Sequence, residues 1–225
     1  MDERKQELLQ LIVEEYIATA EPVGSQFLVQ KMNLPVSGAT VRNEMRELEE
    51  EGFLTHPHTS AGRLPTEAGY TYYVDHLMKP APARKKVVED IQSIIKETQK
   101  ELRLKELAKY VADAVGSAVI VAWKQDAFYY TGISNLFSQP EFQDYQHTVQ
   151  MSQIFDHCED RLNDLFLATN PEEVSVLIGK KNPLGSACTT IATQPEEQQL
   201  FAILGPMRMR YRDTIGLLRT VRDYI

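Results

Sequence analysis

The stretch SGATVRNEMRELEEEGFLTHPHTSAGRLPTEAGY, residues 37–70, decides the fold of the first part of this chain. Ser37 is a good helix N-cap, and good helix formers follow it until Gly52, a residue that accepts the left-handed conformation at the end of a helix. An apolar stripe at helical spacing must pack inward, and it consists of Val41, Met45 and Leu48. The stretch therefore begins with an amphipathic helix that has one buried side.

Small, basic and amide side chains lie on the opposite side of this helix, namely Ala39, Arg42, Asn43 and Arg46. Arginine and asparagine match the hydrogen-bonding edges of guanine and adenine in the major groove, and the small Ala39 lets the helix approach the bases closely. The pattern predicts a DNA-reading face. The alternative is a solvated face on which Arg42 and Arg46 pair with neighbouring glutamates.

A short strand and a polar turn follow the helix. Residues 53–55 have strand character, and residues 58–63 predict a turn tipped by one cation that suits a phosphate backbone. Its members are His58, Thr59, Ser60, Ala61, Gly62 and Arg63. Thr66 then caps a further helix.

Two helices are predicted before this stretch, over residues 3–19 and 24–32, with a turn at Asn33-Leu34-Pro35 between the second one and Ser37. Helix, helix-turn-helix, hairpin and helix in this order predict a winged helix-turn-helix DNA-binding domain over residues 1–78.

The charge of this domain opposes indiscriminate DNA binding. The chain has a net charge of −8, and residues 1–78 hold six Lys or Arg against thirteen Asp or Glu, a net charge of −7. A nucleic-acid-binding domain is usually basic. Because Glu44, Glu47 and Glu51 point to a different flank from the reading face, we expect weak non-specific affinity and specific contacts doubled by dimerisation.

The second part of the chain predicts a different fold. Lys79-Pro80-Ala81-Pro82-Ala83 alternates proline with small residues, which predicts a linker over residues 79–83. Helices are predicted at 84–115 with a break near Lys100, at 140–168, and from Pro206 onward. Strands are predicted at 117–123, 128–130, 174–178, 187–192 and 200–204. Strands mixed with flanking helices indicate an α+β domain over residues 84–225.

Other functional classes find little support. No apolar run approaches the roughly 20 residues of a membrane span, and the charged N-terminus lacks a signal segment, so we expect a cytoplasmic protein without membrane contact. Cys158 and Cys188 show no disulfide or zinc pattern. His56 and His58 lie close in sequence but indicate a polar hairpin more than a metal site.

No nucleophile–base pair, carboxylate pair or phosphate-binding glycine motif is present, so the chain is predicted not to be an enzyme and to need no cofactor. Arg208, Arg210 and Arg212 follow Gly205-Pro206 and could hold an anion at a helix N-terminus, which leaves a ligand-sensing regulator open. A solvated helix face is the favoured interpretation. A winged-helix module that binds a basic protein is the other alternative.

Four segments resemble the HrcA family of bacterial heat-inducible transcription repressors. They are EPVGSQFL at 21–28, TVRNEMRELEEEGFLTHPHTSAGRLPTEAGYTYYVD at 40–75, GISNLFSQPEF at 132–142 and LGPMRMRYRDTIGLL at 204–218. The resemblance implies an N-terminal winged helix, a GAF-like C-terminal domain, and a homodimer on an inverted-repeat operator, called CIRCE, upstream of chaperone operons. It also implies that the chaperonin GroEL maintains the active repressor.

The resemblance also implies roles for single residues. Thr40, Arg42, Asn43 and Arg46 would contact bases or phosphates, and Thr59, Ser60, Gly62 and Arg63 would form the wing. The family's members are longer, and here residues 123–127 pass directly into FYYTGISNLF, so the inserted segment that helps other members to dimerise is missing. We therefore expect the helix at 84–115 and the faces around the helix at 140–168 to supply the dimer interface.

Overall fold

The computed structural model describes residues 1–32, 37–58, 61–123 and 127–225. The turn predicted at 33–35, the wing residues Thr59 and Ser60, and most of the junction at 123–127 lie outside these ranges. The chain divides into two compact units, Met1–Lys79 and Pro80–Ile225. In the part of the chain that is described, no helix is long and apolar enough to cross a membrane.

The first unit consists of helices and one small hairpin. The helices are α1 (Glu3–Thr19), α2 (Ser25–Met32), α3 (Gly38–Glu50) and α4 (Glu67–Tyr72), the last continuing through a π-helical turn at Tyr73–Leu77. Strands β1 (Leu54–Thr55) and β2 (Leu64–Pro65) pair antiparallel between α3 and α4. These elements match those that the sequence pattern predicts.

The core of this unit comes from the apolar stripes of its helices. The predicted stripe on α3 is buried and packs against α1, α2 and β1, and α4 with its π-helical turn adds two buried tyrosines to the core. These buried side chains are Leu8, Leu9, Ile12, Val13, Leu28, Val41, Met45, Leu48, Leu54, Tyr70 and Tyr73. Burying one side of α3 fixes which of its side chains face outward.

The second unit is built on a five-stranded antiparallel sheet with the order β4-β3-β7-β6-β5. Its strands are β3 (Ala118–Trp123), β4 (Phe128–Thr131), β5 (Ser175–Ile178), β6 (Cys188–Thr193) and β7 (Gln199–Pro206). Its helices are α5 (Lys85–Glu97), α6 (Lys100–Val115), α7 (Ile133–Phe137), α8 (Tyr145–Asp156), α9 (Cys158–Ala168) and α10 (Tyr211–Tyr224).

Both faces of this sheet are covered. Ala118, Ile120 and Ala122 belong to a buried cluster that includes side chains of α8 and α9. Because side chains alternate along a strand, Val119 and Val121 point to the opposite face, and both are fully buried. Helix α6 packs against β3 and α10 against β6. Burial from both sides explains why β3 is a continuous apolar run rather than an alternating one.

Three helical features of the second unit differ from the prediction. The last helix starts at Tyr211 rather than Pro206, because β7 continues to Pro206, which pairs with Cys188. The predicted helix at 140–168 is three segments, with a 3₁₀ turn at Pro140–Gln143 and a break at His157 between α8 and α9. Helix α7 was not predicted. Its five residues are too few for helical periodicity to show.

Residues 80–83 lie on α10 within the second unit. The Ala81 amide donates to the Arg212 carbonyl oxygen at 3.0 Å. A Cβ atom at Gly216 would overlap the carbonyl oxygen of Ala81, so only glycine lets this segment pass so close to the helix. The proline-rich segment predicted as a linker is thus attached to α10 in the structure.

Candidate nucleic-acid interface

Helix α3 is held at its N-terminus by Ser37. The Ser37 Oγ accepts a hydrogen bond from the Thr40 amide at 3.2 Å, and it lies 3.0 Å from the Thr40 hydroxyl. The cap satisfies one of the amides that a helix start leaves unpaired. Ser37 and Thr40 therefore contact each other at the start of α3, and Thr40 is half-buried.

The predicted reading face of α3 is exposed. Ala39, Arg42 and Asn43 are all exposed, and the side chain of Arg46 is 66% exposed. Arg46 Nε lies 3.5 Å from Glu50 one turn on, a pairing that is weak on an exposed helix surface. Among the described residues, neither Arg42 nor Asn43 has a side-chain hydrogen bond or an ion pair. Three adjacent long polar side chains and one small residue thus share one accessible face.

The acidic flank of α3, which helical phase places away from the predicted reading face, is turned toward α1 in the structure. Glu44 pairs with Arg4 at 2.8 Å, and Lys5 Nζ lies 2.8 Å from Glu47 and 2.9 Å from Glu51. The hydrogen bonds that Lys5 donates to the carboxylates of Glu47 and Glu51 raise the pKa of Lys5 above its usual range. Three of the domain's carboxylates are therefore neutralised locally and kept away from the reading face, which reduces their repulsion of a phosphate backbone.

The hairpin next to α3 is fixed by its backbone. Arg63 and Val23 exchange two backbone hydrogen bonds of 2.8 and 2.9 Å, which join the hairpin to the segment before α2. A Cβ atom at Gly62 would lie 2.5 Å from the Val23 carbonyl group, so glycine is needed for this close approach. His58 is exposed on the hairpin.

The structure places the side chain of Arg63 differently from the expectation of a cation at the tip of a turn. Its Nε and one terminal nitrogen donate to Glu49 Oε2 at 2.9 and 2.8 Å, and the other terminal nitrogen donates to the Ala61 carbonyl oxygen at 3.3 Å. The Nδ1 of His56 contacts the other oxygen of Glu49. Arg63 is thus paired with the helix.

An open groove of about 600 Å³ separates α3 from the hairpin and the start of α2. Arg42 and Met45 line it on the side of α3. The remaining lining residues are Gly24, Ser25, Gln26, Ala61, Gly62 and Arg63. The groove brings together three of the predicted elements, the start of α2, α3 and the side of the hairpin that leads into β2, on one surface.

Two further candidate sites from the sequence, the histidines near β1 and the arginines before α10, each contain a residue that has a carboxylate partner in the structure. His56 contacts Glu49, and in the described ranges no three His, Cys, Asp or Glu side chains lie close enough to hold a metal ion. Arg208, predicted as a possible anion ligand, is held by both oxygens of Glu141. Arg210 is exposed beside a small cleft that Asp213 also lines. An anion at Arg208 would have to displace a carboxylate.

The sequence alone did not single out Glu49. Its helical phase, seven residues after Arg42, places it on the edge of α3 that borders the reading face. Its partner Arg63, however, is fourteen residues away and across a hairpin. Periodicity along one helix carries no information about such a contact. The only signal for Glu49 in the sequence was its position as a carboxylate next to a predicted DNA-reading face.

Comparisons with known proteins identify relatives of this chain. The family model described as "HrcA protein C terminal domain" matches residues 81–215. A heat-inducible transcription repressor HrcA of Symbiobacterium thermophilum is 45% identical over 127 residues, 56% of this chain and 37% of the relative. The heat-inducible transcription repressor HrcA of Pelotomaculum thermopropionicum is 62% identical over 79 residues, which are 35% of this chain and 23% of the relative.

These matches cover well under half the length of the curated relatives. Their names describe transcription repressors, in agreement with the prediction that the chain is not an enzyme. A crystal structure of a hypothetical protein superposes with a TM-score of 0.78 over 99% of this chain and 97% of that one at 15% identity, which supports the fold alone. Since the family model spans more than half of the residues, the chain belongs to the HrcA protein family.

Proposed function

We propose that this chain is a sequence-specific transcription repressor that binds an inverted-repeat operator of the CIRCE type as a homodimer and controls heat-shock chaperone operons in the cytoplasm. The observation that carries this proposal is the exposed face of α3, where Arg42, Asn43 and Arg46 stand beside Ala39. The names of the relatives support the same function.

The first unit would act as a winged helix-turn-helix. Helices α2 and α3, which pack together, would form the helix-turn-helix, and the paired strands β1 and β2 would form the stem of the wing. In such domains the second helix of the pair enters the major groove and its exposed side chains reach base edges. Ser37 and Thr40 would stand at the end of α3 that approaches the phosphates, and His58, Thr59, Ser60 and Gly62 would belong to the wing.

Base contacts must supply most of the affinity in this proposal. The first unit is acidic, so its general attraction to the phosphate backbone is low. An inverted repeat presents two half-sites to a two-fold symmetric dimer, which doubles each specific contact. The combination of an acidic domain and a small reading face therefore suits a repressor that has little affinity for other DNA.

The second unit would supply dimerisation. Its antiparallel sheet with helices on both faces agrees with a GAF-like domain, and β3 and β4 follow each other closely where the family's inserted segment would lie. We place the dimer interface on α5, α6, α8 and α9. Tyr145 of α8 and Leu167 of α9 are each 79% exposed, so both side chains are accessible to a second copy of the chain.

A footprint on the inverted repeat upstream of the organism's own chaperone operon tests the proposal. Protection of both half-sites is expected, and added chaperonin GroEL should increase the active fraction. Replacing Arg42 or Asn43 by Ala should lose about 1–3 kcal/mol of operator affinity without changing the fold. Glu47→Gln is the matched control on the acidic flank. Unchanged operator binding by both alanine variants would contradict the reading-face assignment.

A further inference from the structure

One carboxylate of α3 contacts both sides of the hairpin stem. Glu49 Oε1 contacts the ring of His56, which directly follows β1, and Glu49 Oε2 accepts two hydrogen bonds from Arg63, which directly precedes β2. The two strands of the hairpin are therefore joined to the proposed recognition helix through a single side chain.

The Glu49–Arg63 pair is sheltered compared with the other charges of α3. The side chains of Glu49 and Arg63 are 21% and 19% exposed, whereas that of Arg46 is 66% exposed. Hydrogen bonds between ionised partners are stronger than those between neutral partners, and their strength increases where water is partly excluded. A DNA phosphate would have to compete with Glu49 for the guanidinium of Arg63.

The backbone of Arg63 restricts the same side chain further. Its two hydrogen bonds to Val23 fix the residue between the hairpin and the start of α2. The terminal nitrogen of Arg63 that does not face Glu49 donates a hydrogen bond to the Ala61 carbonyl oxygen. Arg63 thus connects three segments of the unit, and its guanidinium donates to groups of the protein itself.

We propose that Glu49 is a positioning residue of the DNA-binding surface: it fixes the hairpin against α3 and withholds Arg63 from the phosphates of DNA. This inference rests on the proposed function, because it concerns the same surface. Arg63 then contributes to operator binding through the placement of the wing, while Arg42 contacts the DNA itself.

The salt dependence of DNA binding distinguishes these two roles. Each phosphate contact adds about 0.9 to the slope of log K against log salt for B-DNA. The full chain would be titrated onto the inverted repeat and onto a scrambled duplex between about 50 and 200 mM salt. The variants are Arg63→Gln, Glu49→Gln, their combination, and Arg42→Gln as the comparison. Glu47→Gln, which removes the same charge from the same helix, is the control.

Arg63→Gln should weaken operator binding on the order of fivefold while leaving the slope unchanged, whereas Arg42→Gln should reduce the slope by about 0.9. Glu49→Gln should increase the slope by about 0.9 on both duplexes, since it releases Arg63, and the added Arg63→Gln change should abolish that increase. Glu47→Gln should behave as the unmodified chain does.

An Arg63→Gln slope that falls as far as that of Arg42→Gln would overturn the proposal, because Arg63 would then be a phosphate contact. Arg63→Met, which keeps the aliphatic stem, repeats the measurement if Arg63→Gln does not fold. A chain that binds neither duplex refutes the proposed function instead. Whether Glu49 fixes the hairpin against α3 is then tested without DNA, by a double-mutant cycle of Glu49→Gln and Arg63→Gln in urea unfolding. Coupling on the order of fivefold in the unfolding constant supports it, and additive effects overturn it.

Discussion

At the scale of single residues, the two cysteine thiols of the second unit are held in their protonated form by burial. Removal from water raises the pKa of Cys158 to about 11 and that of Cys188 to about 12, with a small opposing effect from the charge of Arg161. Cys188 also lies 3.1 Å from both the Asn182 side-chain amide and the Gly185 carbonyl oxygen. A buried thiol is a poor nucleophile.

This burial predicts a loss of stability in alkaline solution. The unfolded chain releases the Cys188 proton near its ordinary pKa of about 9, while the folded chain keeps it until about 12. Stability should therefore be complete below pH 9 and decline between pH 9 and 12, by at most about 1.4 kcal/mol per pH unit for this thiol. Urea unfolding at pH 8 and pH 10 measures the decline. In Cys188→Ala it should be smaller, and an equal decline would contradict the assignment.

A second prediction at the residue scale concerns Asn182, which is 5% exposed in the turn before β6. Its amide donates to the Cys188 carbonyl oxygen at 3.3 Å, and its Oδ1 accepts from the Leu184 amide at 3.2 Å and the Thr190 hydroxyl at 3.1 Å. Asn182→Ala leaves these buried groups unpaired, so it should cost about 1–3 kcal/mol in urea unfolding. Asn170→Ala, at an exposed position, should cost much less.

The residue scale also shows what local sequence patterns determine. Periodicity along α3 placed Arg42 and Asn43 on an exposed face and Glu44 on a different flank, because burial of one stripe dictates the direction of every other side chain on a helix. The pairing of Arg63 with Glu49 depends on how the hairpin folds back over α3. No spacing in the sequence encodes that distance, so the prediction placed Arg63 at a tip.

At the scale of elements, the hairpin between β1 and β2 depends on one glycine. A side chain at Gly62 would meet the backbone of Val23. Gly62→Ala should therefore displace the hairpin from α2, cost about 1–3 kcal/mol in thermal unfolding and weaken operator binding. Gly24→Ala is the matched control, since a Cβ atom there meets nothing within 4 Å. Equal stability of the two variants would show that the hairpin does not need this contact.

The elements themselves were predictable where their burial is simple. The helices of the first unit carry clear apolar stripes, and β3 is a continuous apolar run. The continuation of β7 to Pro206 was not predictable, because it depends on a partner distant in sequence. Pro206 pairs with Cys188 across the sheet, and that tertiary contact overrides the preference of proline for the first turn of a helix.

At the scale of the whole molecule, the proposed function requires two copies of the chain. Sedimentation at micromolar concentration should show a dimer. Tyr145→Glu puts a charge on the exposed apolar part of α8, so it should weaken the dimer at least tenfold, about 1.4 kcal/mol. Arg219→Glu, at an exposed position of α10, is the control. A monomer at that concentration in the unchanged chain would contradict dimerisation through these helices.

The contact between residues 80–83 and α10 sets the length of the tether that joins the two units. While the Ala81 amide stays hydrogen-bonded to the Arg212 carbonyl oxygen, residues 80–83 add no length to this tether. Their release would add roughly 14 Å of reach, at about 3.5 Å per extended residue. Under the proposed function, local melting at Gly216 would lengthen the reach of the DNA-binding unit, so warming would change the half-site separation that a dimer can span before either unit unfolds. Hydrogen exchange at the Ala81 amide, followed with temperature, measures that release directly.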